Sequence, residues 1–379
     1  MRLAFLSIGR HIHTERWIRW FARRGHDCHL LTVQPGPVDD VTVHDIRLGT
    51  GPKPWRYYRT LAKVRRILGR LEPDLLNTHF LTGYGYWGHF SGHHPNVLTV
   101  WGDDVYVTPF ENRLKLALAR AALRSCDALT GDSADILAVA AELGADPEKS
   151  FRILWGVDFE VFRPGAEADW RAARGFGPED IVYFSPRSYT QPYYNIDVVI
   201  AAAARVRDQE PRARFLFSGY EGDPEPFRRR VEAAGIADVT HMAGRLAHDE
   251  FAVALRAADV FISVPSVDAT AVSLLEAMSS EAAIIVSSLP SSLEWVADEA
   301  SALVVPPRSE DGLVRAMLRF GADAGLRARC GAAALASARS RVGFEANMEL
   351  VAAVFGHLTG SDPWPSGASL AALRREAGV

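Results

Sequence analysis

The sequence predicts an α/β protein built of two Rossmann-like, doubly wound units that face one another across a cleft. Three observations carry this. Short apolar runs bounded by turn residues recur along the chain, and helix-length stretches separate them, which is the pattern of parallel strands with crossover helices. The 379 residues are too many for one core and comfortable for two. Pro164, Gly165 and the polar run to Asp169 break the alternation as an interdomain linker does. The expected division is 1–165, 166–342, and a C-terminal helix and tail over 343–379 that packs back toward the first unit.

In chain order, 3–8 is the first expected strand. Trp17, Trp20, Phe21 and Arg24 then follow helical spacing over 13–24, and Gly25-His26 ends that helix. Strands are expected at 28–33, 41–48, 74–79, 97–101, 128–131 and 151–154, with helices near 56–71, 111–125 and 132–143. A second alternation has strands at 181–185, 214–218, 239–242, 259–264, 283–287 and 302–305. The tail after Gly360 is rich in Pro, Gly and Ser and reads as loose.

The most informative run is Ala258 to Ser288. Val260-Phe261-Ile262 reads as a buried parallel strand, stopped by Pro265-Ser266. Asp268 sits on the following loop, and Thr270 is placed to cap a helix over 271–279. Leu274, Leu275 and Met278 of that helix face a sheet, and Glu276 turns toward the strand's carboxyl end. Open parallel sheets bind ligands at that end, where helix N-termini present amides. Carboxylates repel phosphate but accept from hydroxyls. Asp268 and Glu276 on either side of the amides at Thr270, Ala271 and Val272 therefore suit a molecule with sugar hydroxyls at both ends and anionic charge between them. A nucleotide-sugar has that layout.

Composition excludes several classes. With 48% hydrophobic and 23% charged residues and a formal net charge of −4, the chain lacks the basic excess of a nucleic-acid binder. Cys28, Cys126 and Cys330 are scattered, with neither a disulfide framework nor metal-ligand spacing. The opening run to Gly9 reads as a strand rather than a signal peptide, and no apolar stretch approaches the ~20 residues of a membrane helix. A cytoplasmic protein is expected. One stretch stands apart: residues 53–70 carry Lys53, Arg56, Arg59, Lys63, Arg65, Arg66 and Arg70 with Trp55, Tyr57 and Tyr58, and no acid. It reads either as a solvated helix face or as a peripheral contact with anionic lipid or an anionic acceptor.

Asp268-x7-Glu276 inside SVPS…LLEAM resembles the E-x7-E signature of family 4 glycosyltransferases, with Asp for the first acid and Ala269 and Ala271 where glycine is usual. Arg24-Gly25-His26-Asp27, Gly156-Val157-Asp158…Phe162-Arg163-Pro164, Ser185-Pro186-Arg187 and Val304-Val305-Pro306-Pro307 are similar to further motifs of that family. The likeness covers most of the chain. It implies the two-domain GT-B fold and retaining transfer of a hexosyl or N-acetylhexosaminyl group. The donor would be a UDP- or GDP-linked sugar and the acceptor a hydroxyl on a small molecule, glycan or lipid-linked compound, with no metal and no cofactor.

The likeness also implies roles residue by residue. Arg187 grips the diphosphate and stabilises the departing charge. Glu276 accepts from ribose hydroxyls and Asp268 from the transferred sugar. Ser218-Gly219-Tyr220-Glu221-Gly222 resembles the family's G-x-G turn. The family's second phosphate-gripping lysine is missing from Gln191–Asn195, so Tyr194 or Asn195 donates a neutral hydrogen bond, Arg245 substitutes, catalysis is slow, or the donor is unusual. In the first unit Trp101-Gly102-Asp103 resembles H-G-S, with a tryptophan ring suited to stacking on a sugar. Arg10, His11, His13 and His79 complete the expected acceptor side. Two rivals stay open at this level: another GT-B enzyme, such as a UDP-GlcNAc 2-epimerase or a phosphorylase, and a non-catalytic nucleotide-sugar binder.

Overall fold

The computed structural model describes residues 1–219 and 223–361. It divides into two compact units, one formed by Met1–Trp155 with the chain from Phe344 onward, the other by Gly156–Gly343. The segment 156–165 thus belongs to the second unit.

The first unit holds strands β1 (Arg2–Leu6), β2 (Asp27–Thr32), β3 (Thr42–Asp45), β4 (Leu75–His79), β5 (Asn96–Thr99), β6 (Ala128–Gly131) and β7 (Ser150–Arg152). They form one sheet in the order β3-β2-β1-β4-β5-β6-β7, parallel throughout. Its helices are α1 (Ile12–Ala22), α2 (Lys53–Leu71), α3 (Tyr86–Ser91), α4 (Asp103–Tyr106), α5 (Arg113–Ser125) and α6 (Ala134–Leu143). The expected helix over 111–125 starts later, because Asn112 is extended and its side chain caps Lys115 N; a 3-10 turn over Thr108–Glu111 precedes it.

The second unit holds α7 (Ala168–Ala172), β8 (Ile181–Ser185), α8 (Ile196–Arg207), β9 (Ala213–Ser218), α9 (Glu225–Ala233), β10 (Thr240–Gly244), α10 (His248–Ala257) and β11 (Val260–Ser263). There follow α11 (Val272–Ser279), β12 (Ala283–Ser287), α12 (Pro290–Leu293), β13 (Leu303–Val305), α13 (Glu310–Ala322) and α14 (Ala324–Arg339). Its sheet runs β10-β9-β8-β11-β12-β13, again parallel. The last helix, α15 (Phe344–Thr359), packs in the first unit: Phe355 stacks on Phe21 at 5.0 Å, and Glu345 accepts from Trp20 Nε1 at 2.8 Å.

In both sheets the first three strands run outward to one side and the fourth returns to the other side of the first, so each has a switch point, β1/β4 in one and β8/β11 in the other. At such a point adjacent loops diverge and leave room outside the carboxyl ends. Burial fixes the registers. β8 (IVYFS), β11 (VFIS) and β12 (AIIVS) are buried along their whole length, as strands covered by helices on both faces must be. Among the described residues no helix is long and apolar enough to cross a membrane.

Candidate active site

Arg187 leaves β8 two residues past its end, and Ser263 closes β11, so the two meet at the switch point of the second sheet. Arg187 Nε donates to Ser263 Oγ at 2.9 Å and Nη2 to Asp268 Oδ2 at 2.6 Å. Its guanidinium carbon lies 4.9 Å from the centre of the Tyr194 ring. Arginine suits this position because its fork reaches two acceptors while its flat face rests on an aromatic ring. Burial raises the Asp268 carboxyl above its ordinary value, and the Arg187 charge opposes that rise.

The loop carrying Asp268 is pinned along its length. Ser266 N donates to Tyr193 O at 2.7 Å, Ser287 Oγ to Pro265 O at 2.6 Å, and Ser291 Oγ to the Asp268 carbonyl at 2.9 Å. Thr270 is one residue too early to cap: the cap position of α11 is Ala271, with no side-chain bond, and the Thr270 hydroxyl accepts from Trp295 Nε1 at 3.2 Å. The first-turn amides of Val272 and Ser273 therefore have neither an intrahelical nor a capping partner. Glu276 is buried one turn on, with Oε1 4.0 Å from His248 Nε2 at the start of α10. His248 in turn packs edge-on against Phe162 at 4.9 Å.

Asn195 corrects the expectation of a donor for phosphate. It is fully buried in the left-handed conformation (φ 53°), and its amide is committed within the protein. Nδ2 donates to Val264 O at 2.9 Å and Ser266 Oγ at 2.8 Å, while Oδ1 accepts from Arg308 Nη1 at 3.0 Å. Beside Arg187, the cation that meets this loop is Arg308; Arg245 is exposed just past β10. Gly219 also has a role: a Cβ there would lie 2.1 Å from the Pro186 carbonyl oxygen, so only glycine lets the turn after β9 approach the turn that carries Arg187. Tyr220, Glu221 and Gly222 lie outside the described residues, as does the tail beyond Ser361.

In the first unit the expected residues come together as an aromatic cluster at the carboxyl edge. His11 Nδ1 caps α1 by accepting from His13 N at 3.3 Å, and its ring lies 4.8 Å from Trp101. His13 stacks on Trp155 at 5.0 Å, and Trp155 meets Trp101 at 4.8 Å. His79 lies beneath, 6.1 Å from Trp101 and 5.4 Å from Trp17.

Asn77 Nδ2 donates to Val97 O and Thr99 Oγ1, so its Oδ1 is the acceptor for His79 at 2.8 Å. His79 therefore carries its proton on Nε2 and turns a bare Nδ1 lone pair inward, where no partner meets it. Burial pulls this imidazole down to about 3. Trp101 Nε1 is likewise buried without a partner.

The carboxylate that shapes this edge is Asp104 rather than Asp103. It accepts from Leu81 N (2.6 Å), Gly102 N (2.7 Å) and Trp101 N (3.0 Å), and burial lifts it to about 6. Gly102 makes the turn possible with φ 145°, which L side chains rarely adopt.

Trp155, Trp17, Ser263, His248 and Arg308 escaped the sequence reading as site residues, whereas Tyr194 was anticipated as a donor and lies under the Arg187 guanidinium. Arg308 follows Pro306-Pro307 directly and offered some signal, whereas Ser263 and Trp155 looked like strand ends.

Two doubly wound units of equivalent strand order, each with a polar cluster outside its switch point, define the GT-B class of α/β protein. The family model described as Glycosyl transferase 4-like matches residues 2–133, and the one described as Glycosyl transferases group 1 matches 167–336. Each falls on one unit, and the chain belongs to this glycosyltransferase family.

It is 30% identical over 206 residues to the D-inositol 3-phosphate glycosyltransferase of Kribbella flavida, covering 52% of this chain and 48% of that one. To the protein of the same name from Stackebrandtia nassauensis it is 33% identical over 221 residues, 55% and 49% of the two chains. The match thus spans about half the length of these relatives. Among solved structures, sucrose-phosphate synthase of Thermosynechococcus elongatus superposes with a TM-score of 0.81 at 19% identity, covering 96% of this chain and 100% of that one. HepE of Anabaena in complex with UDP-glucose gives 0.82 at 14% identity, covering 94% and 100%. At such identities the likeness is one of fold.

Proposed function

We propose that the protein transfers a hexosyl or N-acetylhexosaminyl group, with retention of configuration, from a UDP- or GDP-linked sugar to an acceptor hydroxyl. The observation that carries this reading is the constellation at the second switch point: the part-buried Arg187 guanidinium from the end of β8, set against two carboxylates and the uncapped helix amides of the β11-loop-α11 segment. Arg187 and the amides of Val272 and Ser273 would hold the diphosphate, Glu276 the ribose hydroxyls, and Asp268 the hydroxyls of the transferred sugar. In transfer the anomeric C–O bond to phosphate breaks and a bond to the acceptor oxygen forms. The acceptor's proton leaves with the diphosphate, whose charge Arg187 stabilises.

On the acceptor side, the partly exposed Trp101 ring, backed by the buried Trp155, would offer a face for a sugar or polyol ring. Because cationic side chains and amides supply the positive charge, turnover should persist in a chelator such as EDTA.

The test is a donor panel scored for product and for anomeric configuration, beside thermal shift with UDP, GDP, ADP and TDP. A nucleotide at a hundred times its Kd should stabilise by about 2.7 kcal/mol. Glu276→Ala should remove that shift and the turnover together. Turnover that survives in Glu276→Ala, or product of inverted configuration, would refute the proposal.

A further inference from the structure

We propose that the outer surface of the first unit, formed by α2, α3 and α5, docks on a bilayer containing anionic phospholipid. This rests on the first unit alone and is independent of the reaction proposed above. The connections β3 to β4, β4 to β5 and β5 to β6 all step the same way across the sheet, so right-handed crossover places α2, α3 and α5 in one layer. Side chains tie the layer together: Arg65 Nε donates to Phe90 O at 2.9 Å, and Tyr86 Oη to Lys115 O at 3.2 Å.

Each long helix has a buried and an open side. In α2, Thr60, Val64 and Leu68 face the core, which leaves Trp55, Tyr58, Arg59, Arg66 and Arg70 outward. In α5, Ala119, Ala122 and Leu123 face inward, and Arg113, Leu114, Arg120 and Arg124 lie outward.

Two properties coincide on this layer. The first is charge: α2 has seven lysines and arginines and α5 has four, and neither helix contains an acid, although the whole chain is net −4. The neighbouring Glu111 pairs with Lys115. The second is apolar exposure. Of the seven large hydrophobics exposed among the described residues, five lie here: Trp55 (65%), Tyr58 (64%), Phe90 (39%), Phe110 (57%) and Leu114 (68%).

Cations beside exposed aromatic and aliphatic side chains match a bilayer surface, where headgroups meet the charges and the apolar tips enter the acyl boundary. A nucleic acid would use the charges and stack on the aromatic rings, but Leu114 offers no stacking face.

Sedimentation of the full chain with phosphatidylcholine vesicles, with and without phosphatidylglycerol, tests this. The expected result is retention only on phosphatidylglycerol vesicles, falling with salt. Binding should weaken at least tenfold in R59E/R66E/R70E and several-fold in W55A/L114A. A matched reversal elsewhere, R228E/R229E/R339E, should leave it unchanged. Circular dichroism and the thermal midpoint of each variant report folding. No retention at low salt overturns the proposal, as does equal loss in the matched reversal. So does equally tight binding of an oligonucleotide that is indifferent to W55A/L114A.

Discussion

Arg187 and Asp268 form an ion pair with each other, so an incoming diphosphate must compete with Asp268 for the guanidinium. The bond to Ser263 keeps the fork in place while that exchange occurs. Lysine can supply the charge but not the fixed fork. Arg187→Lys should therefore lower kcat about a hundredfold, the usual cost of one transition-state donor, with a smaller effect on nucleotide affinity. Steady-state rates beside a nucleotide titration read both.

His79 makes a different prediction, about pH. Held neutral with its value lowered to about 3, it stays unprotonated in the fold while the unfolded chain takes up a proton near the ordinary 6.5. The unfolded state then binds more protons across that window. Stability rises with pH through it and falls on acidification, by up to about 1.4 kcal/mol per unit. His79→Gln should flatten this slope in urea titrations run from neutral to acid pH. An unchanged slope would show that other groups set it.

At the scale of elements, the 186–196 turn shows how one side chain joins three segments. Asn195 sits at the start of α8, bonds the chain leaving β11 through Val264 and Ser266, and receives Arg308 from beyond β13. Asn195→Ala leaves the Val264 carbonyl and the Arg308 guanidinium without that partner and puts alanine in a left-handed conformation. A loss of about 2–4 kcal/mol is expected in the second unit, measured by denaturant unfolding. Asn195→Asp tests the geometry apart from the backbone.

This is also where the sequence stopped short. An asparagine after two tyrosines gives no sign of which strand ends it will meet, since those partners lie 69 or more residues away. The strand-loop-helix run 258–288 was legible because its apolar period and flanking turn residues are local. Its cap was not: Thr270 has the right chemistry, yet Trp295, 25 residues on, takes the hydroxyl. Asp103 and Asp104 likewise differ only in which one three backbone amides can reach.

Over the whole molecule, each unit keeps its own buried cluster. One includes Leu6, Val64, Leu76 and Trp87, and the other Phe215, Ile262, Ile285 and Met317. The two-unit organisation was legible because strand spacing survives without knowledge of contacts, whereas the return of α15 to the first unit depends on contacts distant in sequence, among them the Phe355–Phe21 stack and the bonds of Glu345 to Trp20 and Arg24 and of Asn347 to Leu154. If the nucleotide is held as proposed, it touches loops that already lie fixed beside one another. Hydrogen exchange with saturating UDP or GDP should then slow in 186–195 and 263–276. The 53–71 and 113–125 helices should be unaffected by nucleotide and slow only with anionic vesicles. A ligand that slows exchange elsewhere while leaving 263–276 untouched would place the donor at another site, because Glu276 and the opening amides of α11 cannot bind a nucleotide without losing solvent contact.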